Sequence, residues 1–509
     1  MVIRKLFFKK NRHFLWLLMS LLTIQILEIS STQANDCKDS FDTGAAVTPR
    51  WIKKMLENDR RLPESQRSIQ RVIQGEGIEV LSRLPDLLRN HNDIYTLEIP
   101  SPDITNQKAS GRCWIFAGLN LMRSKLIGDG IVGREFKLSA NYLYFFSLLE
   151  QSNTYLERVI QGRFQKISIH DTREKMMPDI RDGGFWHSFI FLVKKYGIVT
   201  DQAMPETASS ERTLPLRNEL ERYLGAFAYD LYHQKVTDPK SLTPSQLRAA
   251  LRKHKQAALA GVWKILTAHL GTPPEQFTET TIIDQEVKEA HPRVNTQTRQ
   301  DRRWTPHQYL QSIRFDPTDY ITVSANPLRD ANKVYRNEND GIGKPLPGRS
   351  AFDPRRLNLT QDDLQHLVET SILNGEPVWF GADIRKAKDL DRGILHPDLE
   401  HEQSLYHLDG TEKPKAHPSK VLRWLRIHRP THAMAIVGID RPNPSKKIIK
   451  FKVENSWGPR GDQGFLHMYR EWFEEHVYEI VIHKAFLTEE QLRIWHGPTE
   501  VIPENETFY

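Results

Sequence analysis

At residues 106–117 the chain reads Asn-Gln-Lys-Ala-Ser-Gly-Arg-Cys-Trp-Ile-Phe-Ala, and this stretch decides the fold. Gly111 permits a tight turn, and Cys113 opens an apolar run that predicts a helix continuing toward Leu126. A thiol in the first helical turn lies at the positive end of the helix dipole, which favours the thiolate. Gln107 can fold its side-chain amide back beside the sulfur. A thiolate with an amide donor nearby is half of an acyl-transfer site, so the rest of the chain must supply a base and a group that orients it.

The missing partners are predicted far along the chain. His432 begins the apolar run His-Ala-Met-Ala-Ile-Val-Gly-Ile, and Asn455 follows the next predicted strand in Val-Glu-Asn-Ser-Trp-Gly. Two neighbouring strands would bring these side chains together, so that His432 deprotonates Cys113 and later protonates a leaving amine. Asn455 would orient the imidazole, Trp457 would shield that bond from water, and Gln107 with the Cys113 backbone N–H would form an oxyanion hole. Alone, a histidine at a strand end is more often structural; the combination indicates catalysis.

A second loop is rich in glycine, reading Asp-Gly-Gly-Phe-Trp at 182–186. Gly183 and Gly184 would allow the backbone of a bound substrate to approach closely. An ordinary turn before a helix is the alternative interpretation, and the sequence leaves both open.

Length and charge restrict the class of protein. A chain of 509 residues predicts two or three subdomains, and 39% hydrophobic with 27% charged residues is ordinary for a globular protein. The formal net charge is +7. Five basic residues and one acidic residue lie in the first 34, so the remainder carries +3. That small surplus argues against a nucleic-acid partner.

The N-terminus has the pattern of a secretory signal peptide. A basic segment is followed by an apolar run from Phe14 to Leu27 and by the small-x-small sequence Thr32-Gln-Ala34. We therefore expect an exported protein, periplasmic or secreted; an uncleaved signal acting as a membrane anchor is the alternative. The sequence has two cysteines, Cys37 and Cys113. A disulfide between them would consume the proposed nucleophile, and that alternative stays open.

The chain is predicted to be organised in six segments. Polar helical patterns dominate before about residue 320, and short β-like runs follow. The charged run Gln297–Arg303 is interpreted as a solvated loop. The segments are a signal peptide (1–34), an N-terminal arm (35–100), a helical lobe with the cysteine (101–205), a helical insertion (206–319), a β lobe with the histidine and asparagine (320–496), and a polar C-terminal arm (497–509).

The motifs together resemble a known family. They are similar to the papain-type cysteine peptidases and, within them, to the bleomycin hydrolase and aminopeptidase C family. The resemblance covers nearly everything after about residue 50 and is carried by Asn-Gln-Lys-Ala-Ser-Gly-Arg-Cys-Trp-Ile-Phe-Ala (106–117), Phe-Lys-Leu-Ser-Ala-Asn-Tyr-Leu (136–143), Asp-Gly-Gly-Phe-Trp (182–186), Asn-Gly-Glu-Pro-Val-Trp-Phe-Gly (374–381), Thr-His-Ala-Met (431–434), Val-Glu-Asn-Ser-Trp-Gly (453–458) and Glu-Trp-Phe with Val-Tyr-Glu (471–479).

The resemblance implies an α+β, papain-like, two-lobed fold, with a helical lobe, an antiparallel β lobe and a helical insertion. It implies Cys113 as nucleophile, His432 as acid and base, Asn455 as orienter and Gln107 as oxyanion donor. It also implies a homo-hexamer in which the terminal carboxylate, here that of Tyr509, holds the free amino group of a peptide substrate. The last residues differ from the family's pattern, and so does the leader, because family members are usually cytosolic.

The resulting expectation is a thiol aminopeptidase that releases N-terminal residues from peptides through an acyl-enzyme, with no cofactor and no metal. Its substrate-binding residues would be Gly183, Gly184, Trp457 and Tyr509. The rival is an inactive scaffold or nucleic-acid-binding member of the same family. The small mature charge and the complete set of site residues argue against that rival.

Overall fold

The structure, a computed structural model, describes residues 47–77, 85–162, 177–233, 243–284, 297–337, 354–399, 425, 429–503, 506 and 508. The leader and Cys37 lie outside these residues. By its internal contacts the chain divides into two compact units, residues 1–81 and 82–509. The described part of the first unit forms α1 (Pro49–Arg60) and α2 (Glu64–Glu76). Within the described ranges, no helix combines the length and apolar character needed to cross a bilayer.

Helices dominate the first part of the second unit. The predicted helix at the cysteine is confirmed, and it is buried on nearly all sides because most of its residues are apolar. Gly118 permits close packing, since a Cβ there would lie 2.7 Å from the ring of Phe189. The helices are α3 (Pro85–Asn90), α4 (Cys113–Gly128), α5 (Ala140–Gly162), α6 (Trp186–Tyr196), α7 (Ala208–Glu211), α8 (Thr213–His233), α9 (Pro244–Leu270) and α10 (Pro306–Ser312).

Most strands follow residue 319, and the β-like runs seen in the sequence there are confirmed as strands. The strands are β1 (Leu97–Glu98), β2 (Phe277–Asp284), β3 (Gln297–Trp304), β4 (Tyr320–Ser324), β5 (Lys333–Asn337), β6 (Arg356–Asn358), β7 (Val378–Ala382), β8 (Lys388–Asp389), β9 (Ile394–Leu395), β10 (His432–Asp440), β11 (Lys450–Glu454), β12 (Phe465–Tyr469), β13 (Val477–His483) and β14 (Thr499–Ile502). Three further helices are α11 (Gln361–Leu373), α12 (Arg470–His476) and α13 (Glu489–His496).

A single large sheet positions the candidate site. Its order is β14-β5-β6-β4-β13-β7-β10-β11-β12-β9-β8, and β1 also pairs with β10. One apolar core joins helices α4, α5, α6, α8, α9 and α10 to one face of the sheet through Trp379, Ala433, Ala435 and Val481. A second core covers the other face and includes residues of α11. The cysteine helix α4 therefore packs directly on the central strand β10.

Two sequence interpretations need correction. The run Gln297–Arg303 is not a loop but strand β3, which pairs antiparallel with β2 along its whole length. The exposed side chains of Asp301, Arg302 and Arg303 suit such a ribbon, because the backbone supplies the ladder hydrogen bonds. The segment 206–319 therefore contains a hairpin as well as helices.

The C-terminal arm is also partly regular, because β14 pairs in parallel with β5 and Ile502 packs with Tyr335 and Phe508. Among the described strands the large sheet is mostly antiparallel, as the sequence predicts, with a few parallel pairs. The pairs β4–β6, β5–β14 and β9–β12 are parallel, and the chain between each pair is long enough for a crossover.

Candidate active site

Cys113 is the first residue of α4, where the chain turns from a loop into the helix. The preceding Arg112 is fully buried and forms an ion pair with Glu206, with Nη2 2.8 Å from Oε2. Its guanidinium also lies over the rings of Phe116 and Tyr144. These contacts fix the backbone at the helix start, so the thiol is held at the positive end of the dipole. Cys113 itself is buried and has no disulfide partner among the residues that the structure describes, which do not include Cys37.

Asp182 anchors the cysteine loop from the opposite side. Its carboxylate accepts hydrogen bonds from the Gly111 N–H at 3.0 Å, from the Tyr144 hydroxyl at 2.6 Å and from the Thr213 hydroxyl. Its backbone carbonyl accepts from Trp114 Nε1 at 2.7 Å. Asp182 therefore holds the residues on both sides of the nucleophile.

His432 and Asn455 lie together, as the sequence predicts. His432 Nε2 is 2.8 Å from Asn455 Oδ1, and both side chains are buried. The Ser456 backbone N–H donates to the same oxygen at 2.8 Å, which fixes the orientation of the amide. Because Oδ1 can only accept, His432 must carry its proton on Nε2. Its Nδ1 is then the nitrogen with a free lone pair.

Trp457 covers the imidazole. The two rings stack with centroids 4.4 Å apart and planes 27° from parallel. Trp457 is itself only partly buried, so it forms a wall between solvent and the bond from His432 to Asn455. This placement agrees with the shielding role expected from the sequence.

A short bridge joins the loop of Gln107 to the loop of Asn455. Gln107 N–H donates to the Ser456 carbonyl at 2.8 Å, and Asn106 forms a β-bridge with Trp457. The Ser456 hydroxyl donates to Gln107 Oε1 at 2.6 Å, while Gln107 Nε2 donates to the carbonyl of Ser110. That carbonyl can only accept, so the NH₂ group points toward the cysteine loop. One of its two hydrogens remains for another acceptor.

The Cys113 sulfur lies against the strand that carries His432. Burial raises the pKa of the thiol to about 11, and contacts with the N–H groups of Ala433, Trp114 and Cys113 oppose that shift. Burial likewise lowers the pKa of His432 to about 4; the bond to Asn455 opposes this shift and the charge of Lys388 reinforces it. Both shifts favour uncharged forms. His432 is therefore neutral near pH 7, with Nδ1 available to accept a proton.

The two glycines of the second loop have different surroundings. A Cβ on Gly184 would lie 2.6 Å from the Trp114 ring, so packing alone requires this glycine. Gly183 is exposed, and a Cβ there would meet nothing within 4 Å, so its backbone is open to a ligand. The terminal Tyr509 lies outside the described residues, whereas its neighbour Phe508 is buried.

Sequence reasoning missed several residues that build the site. Asp182 had a weak signal, because it is an acidic residue directly before two glycines in a loop already predicted to approach the substrate. Arg112 and Glu206 had none, because a long-range ion pair leaves no local pattern. Among the described residues, the structure contains no group of three or more His, Cys, Asp or Glu side chains arranged to hold a metal ion.

Comparisons with known proteins give consistent results. The sequence profile described as Peptidase C1-like family matches residues 47–505. Aminopeptidase G of Lactobacillus delbrueckii subsp. lactis is 30% identical over 417 residues, which cover 81% of this chain and 87% of that protein. Aminopeptidase E of Lactobacillus helveticus is 27% identical over 465 residues, covering 90% and 98%. The crystal structure of PepW from Lactobacillus rhamnosis HN001 superposes with a TM-score of 0.76 at 27% identity, covering 91% and 98%.

Proposed function

The chain belongs to the Peptidase C1-like family, and we propose that it is a cysteine aminopeptidase that removes N-terminal residues from peptides. The observation that carries this proposal is the arrangement of three groups from distant parts of the chain. The thiol of Cys113 begins a helix and contacts the N–H of Ala433, next to His432, whose other side bonds to Asn455. A nucleophile, a base and an orienter in this order are the parts of an acyl-transfer site.

The proposed reaction begins when His432 Nδ1 takes the thiol proton. The sulfur attacks the carbonyl carbon of the first peptide bond, and the developing oxyanion accepts from the Cys113 N–H and from Gln107 Nε2. Collapse breaks the C–N bond, and the imidazolium gives its proton to the leaving amine. Water, deprotonated by the same imidazole, then attacks the thioester and releases the amino acid and the thiol. Asn455 stabilises the imidazolium in both steps.

The finer architecture belongs to the same proposal. We infer two lobes, one helical and one built on the sheet, with the site between them and residues 206–319 as an insertion. We also infer a homo-hexamer from the resemblance to bleomycin hydrolase. Light scattering after gel filtration tests that assembly, and a monomeric mass would reject it.

We assign the preference for substrates with a free N-terminus to the C-terminal arm. Tyr509 would place its carboxylate where the free amino group of a substrate binds. The seating of Phe508 supports this: Asn326 Nδ2 donates to its carbonyl, and the Arg356 guanidinium lies over its ring. Arg356 also pairs with Glu479, which is opposite Gly381 on the strand next to His432. The tail is thus anchored on the sheet that carries the base.

Export is a further part of the proposal. Residues 1–34 would act as a signal peptide that delivers the enzyme to the periplasm or outside the cell. Sequencing the N-terminus of the mature protein tests this, and a chain that begins at Asn35 is the expected result. A chain that retains Phe14 to Leu27 would indicate the alternative, an uncleaved anchor.

The activity itself is tested with paired fluorogenic substrates. The full-length enzyme should hydrolyse a free aminoacyl amide much faster than the same compound with its amine acylated, and Cys113→Ala should hydrolyse neither. Equal rates on both compounds would reject the aminopeptidase assignment, but the enzyme would still be a thiol peptidase. Undiminished activity of Cys113→Ala would reject the chemistry as well.

A further inference from the structure

A buried polar group beside the site has no part in the mechanism described above. Glu454 directly precedes Asn455, and only 3% of its surface is exposed. Two polar residues of the cysteine helix, Asn120 and Arg123, are also buried, with 4% and 1% of their surface exposed. Polar groups in a core cost stability unless they are hydrogen-bonded, so their contacts require an explanation.

The contacts form one continuous network. Asn120 Nδ2 donates to Glu454 Oε1 at 2.5 Å and lies 3.3 Å from Thr105 Oγ1. Arg123 Nη1 donates to Asn120 Oδ1 at 2.9 Å, and its Nε donates to the carbonyl of Phe136 at 2.6 Å. The amide of Asn120 is therefore held by partners on both of its atoms.

The network joins the segments that supply the site. Asn120 lies seven residues after Cys113, which is two helical turns, so both residues are on one face of α4. Glu454 ends the strand that leads into Asn455 and pairs in register with Ala435 of the histidine strand. Thr105 lies two residues before Gln107. The proposed nucleophile, orienter and oxyanion donor therefore all lie close in the chain to residues of this network. The nucleophile is two helical turns from Asn120, the orienter directly follows Glu454, and the oxyanion donor is two residues from Thr105.

We propose that Glu454 is a positioning residue, whose hydrogen bond to Asn120 fixes the strand end carrying Asn455 against the helix carrying Cys113. It touches no reacting atom. Its effect is to set the separation between the thiol and the His432–Asn455 pair, on which the efficiency of proton transfer depends. This inference rests on the roles proposed above for those three residues.

The protonation state of Glu454 is consistent with a buried hydrogen bond to Asn120. Burial raises its pKa to about 8, and the positive charge of Arg123 opposes the shift. Arg123 in turn interacts with Asp103 and Asp201, which offset its own charge. At neutral pH the carboxyl is therefore mostly protonated, and an amide of the same shape should replace it well.

The experiment measures how fast iodoacetamide alkylates Cys113 in the full-length protein at pH 7, followed on the Cys113 peptide by mass spectrometry. Glu454→Asp, one CH₂ shorter, should lower the rate about tenfold or more, because the link is lost and the thiol loses its base. Glu454→Gln keeps an acceptor oxygen, and its alkylation rate should be within about twofold of the wild-type rate. Asn120→Leu should resemble Glu454→Asp, and the double variant should be no slower than either.

The control is Glu157, a buried acid that bonds to Lys255 between α5 and α9, two helices that contribute no candidate site residue. Glu157→Asp should lower the melting temperature but leave the alkylation rate unchanged. If Glu454→Asp also changes only the melting temperature, its role is structural and the proposal is wrong; the same follows if Glu454→Gln is as slow as Glu454→Asp. If Glu454→Asp does not fold, the other two variants test the proposal. A slow Asn120→Leu with a near-normal Glu454→Gln supports it, and a normal rate in Asn120→Leu or a slow Glu454→Gln rejects it. Because alkylation needs no peptide substrate, this test is independent of the aminopeptidase assignment.

Discussion

His432 Nε2 lies 2.8 Å from Asn455 Oδ1, and the fixed orientation of the amide leaves Nδ1 as the basic nitrogen. Asn455→Ala should therefore lower kcat/KM by about 10- to 100-fold, the range for a hydrogen bond to a charged group. The bond raises the pKa of His432 against the effect of burial. Its loss should lower that pKa further and move the acid limb of the kcat/KM profile to lower pH. An acid limb that moves to higher pH, in a variant shown by circular dichroism to be folded, would contradict this account.

Gln107 is expected to act only in the transition state. Gln107→Ala should remove about 2.7–4 kcal/mol of transition-state stabilisation, seen mainly as a lower kcat. Alkylation of Cys113 develops no oxyanion and should change little. Gln107→Glu is the matched control, because it keeps the shape but loses the NH₂ donor and should be as slow as Gln107→Ala. Full activity in Gln107→Glu would exclude the donor role.

Asp182 should contribute to stability and to catalysis together. In Asp182→Asn, an NH₂ group replaces one acceptor oxygen and the ion pair with Arg217 is lost. A buried donor among Arg217, Gly111, Tyr144 and Thr213 then has no acceptor, at a cost of about 1–3 kcal/mol. Urea denaturation measures this loss, and kcat should fall as well because the cysteine loop loosens. The control is Asp179→Asn, which breaks the exposed ion pair with Arg181 and should change stability by less than about 0.5 kcal/mol. Equal effects of the two variants would contradict the anchor role.

Glu454 should make stability depend on pH in a defined window. Its pKa is about 8 in the folded protein against 4.5 in the unfolded chain, so the folded state binds more protons between these values. The stabilisation is complete below pH 4.5 and is lost as the pH rises through 8. Glu454→Gln cannot ionise, so its unfolding free energy should fall less between pH 6 and 9 than that of the wild type. Parallel curves for the two proteins would show that Glu454 is not the titrating group.

The terminal carboxylate can be tested separately from the terminal side chain. Deleting Tyr509 moves the carboxylate by one residue and should lower aminopeptidase activity while raising cleavage within N-blocked peptides. Tyr509→Ala keeps the carboxylate in register and should retain aminopeptidase specificity. If the deletion leaves the ratio of the two activities unchanged, the amine anchor lies elsewhere.

The sequence was sufficient to single out the residues that we propose carry the chemistry. Cys113 after a glycine turn, and His432 and Asn455 at strand ends, have local patterns that can be recognised far apart in the chain. Local signals also mark the start of α9, where Thr243 is the N-cap, Pro244 is the first helical residue and the capping box is complete.

Other features depend on long-range partners and leave no local pattern. The run Gln297–Arg303 is polar enough for a loop and becomes a strand only because residues 277–284 pair with it. Strand β14 forms because β5 lies beside it. Glu454 is one charged residue in a strand, and nothing local indicates that Asn120 meets it in the core. Positioning residues of this kind are visible only in the fold.

The most direct test of the central claim couples labelling of one thiol to the loss of one activity. Iodoacetamide is added in steps to the reduced full-length enzyme, and both hydrolysis of an aminoacyl amide and modification of each cysteine peptide are measured. The account predicts that activity falls in proportion to alkylation of Cys113, reaching zero at one label there, whatever the state of Cys37. Substantial aminopeptidase activity in protein whose Cys113 is fully alkylated would contradict it.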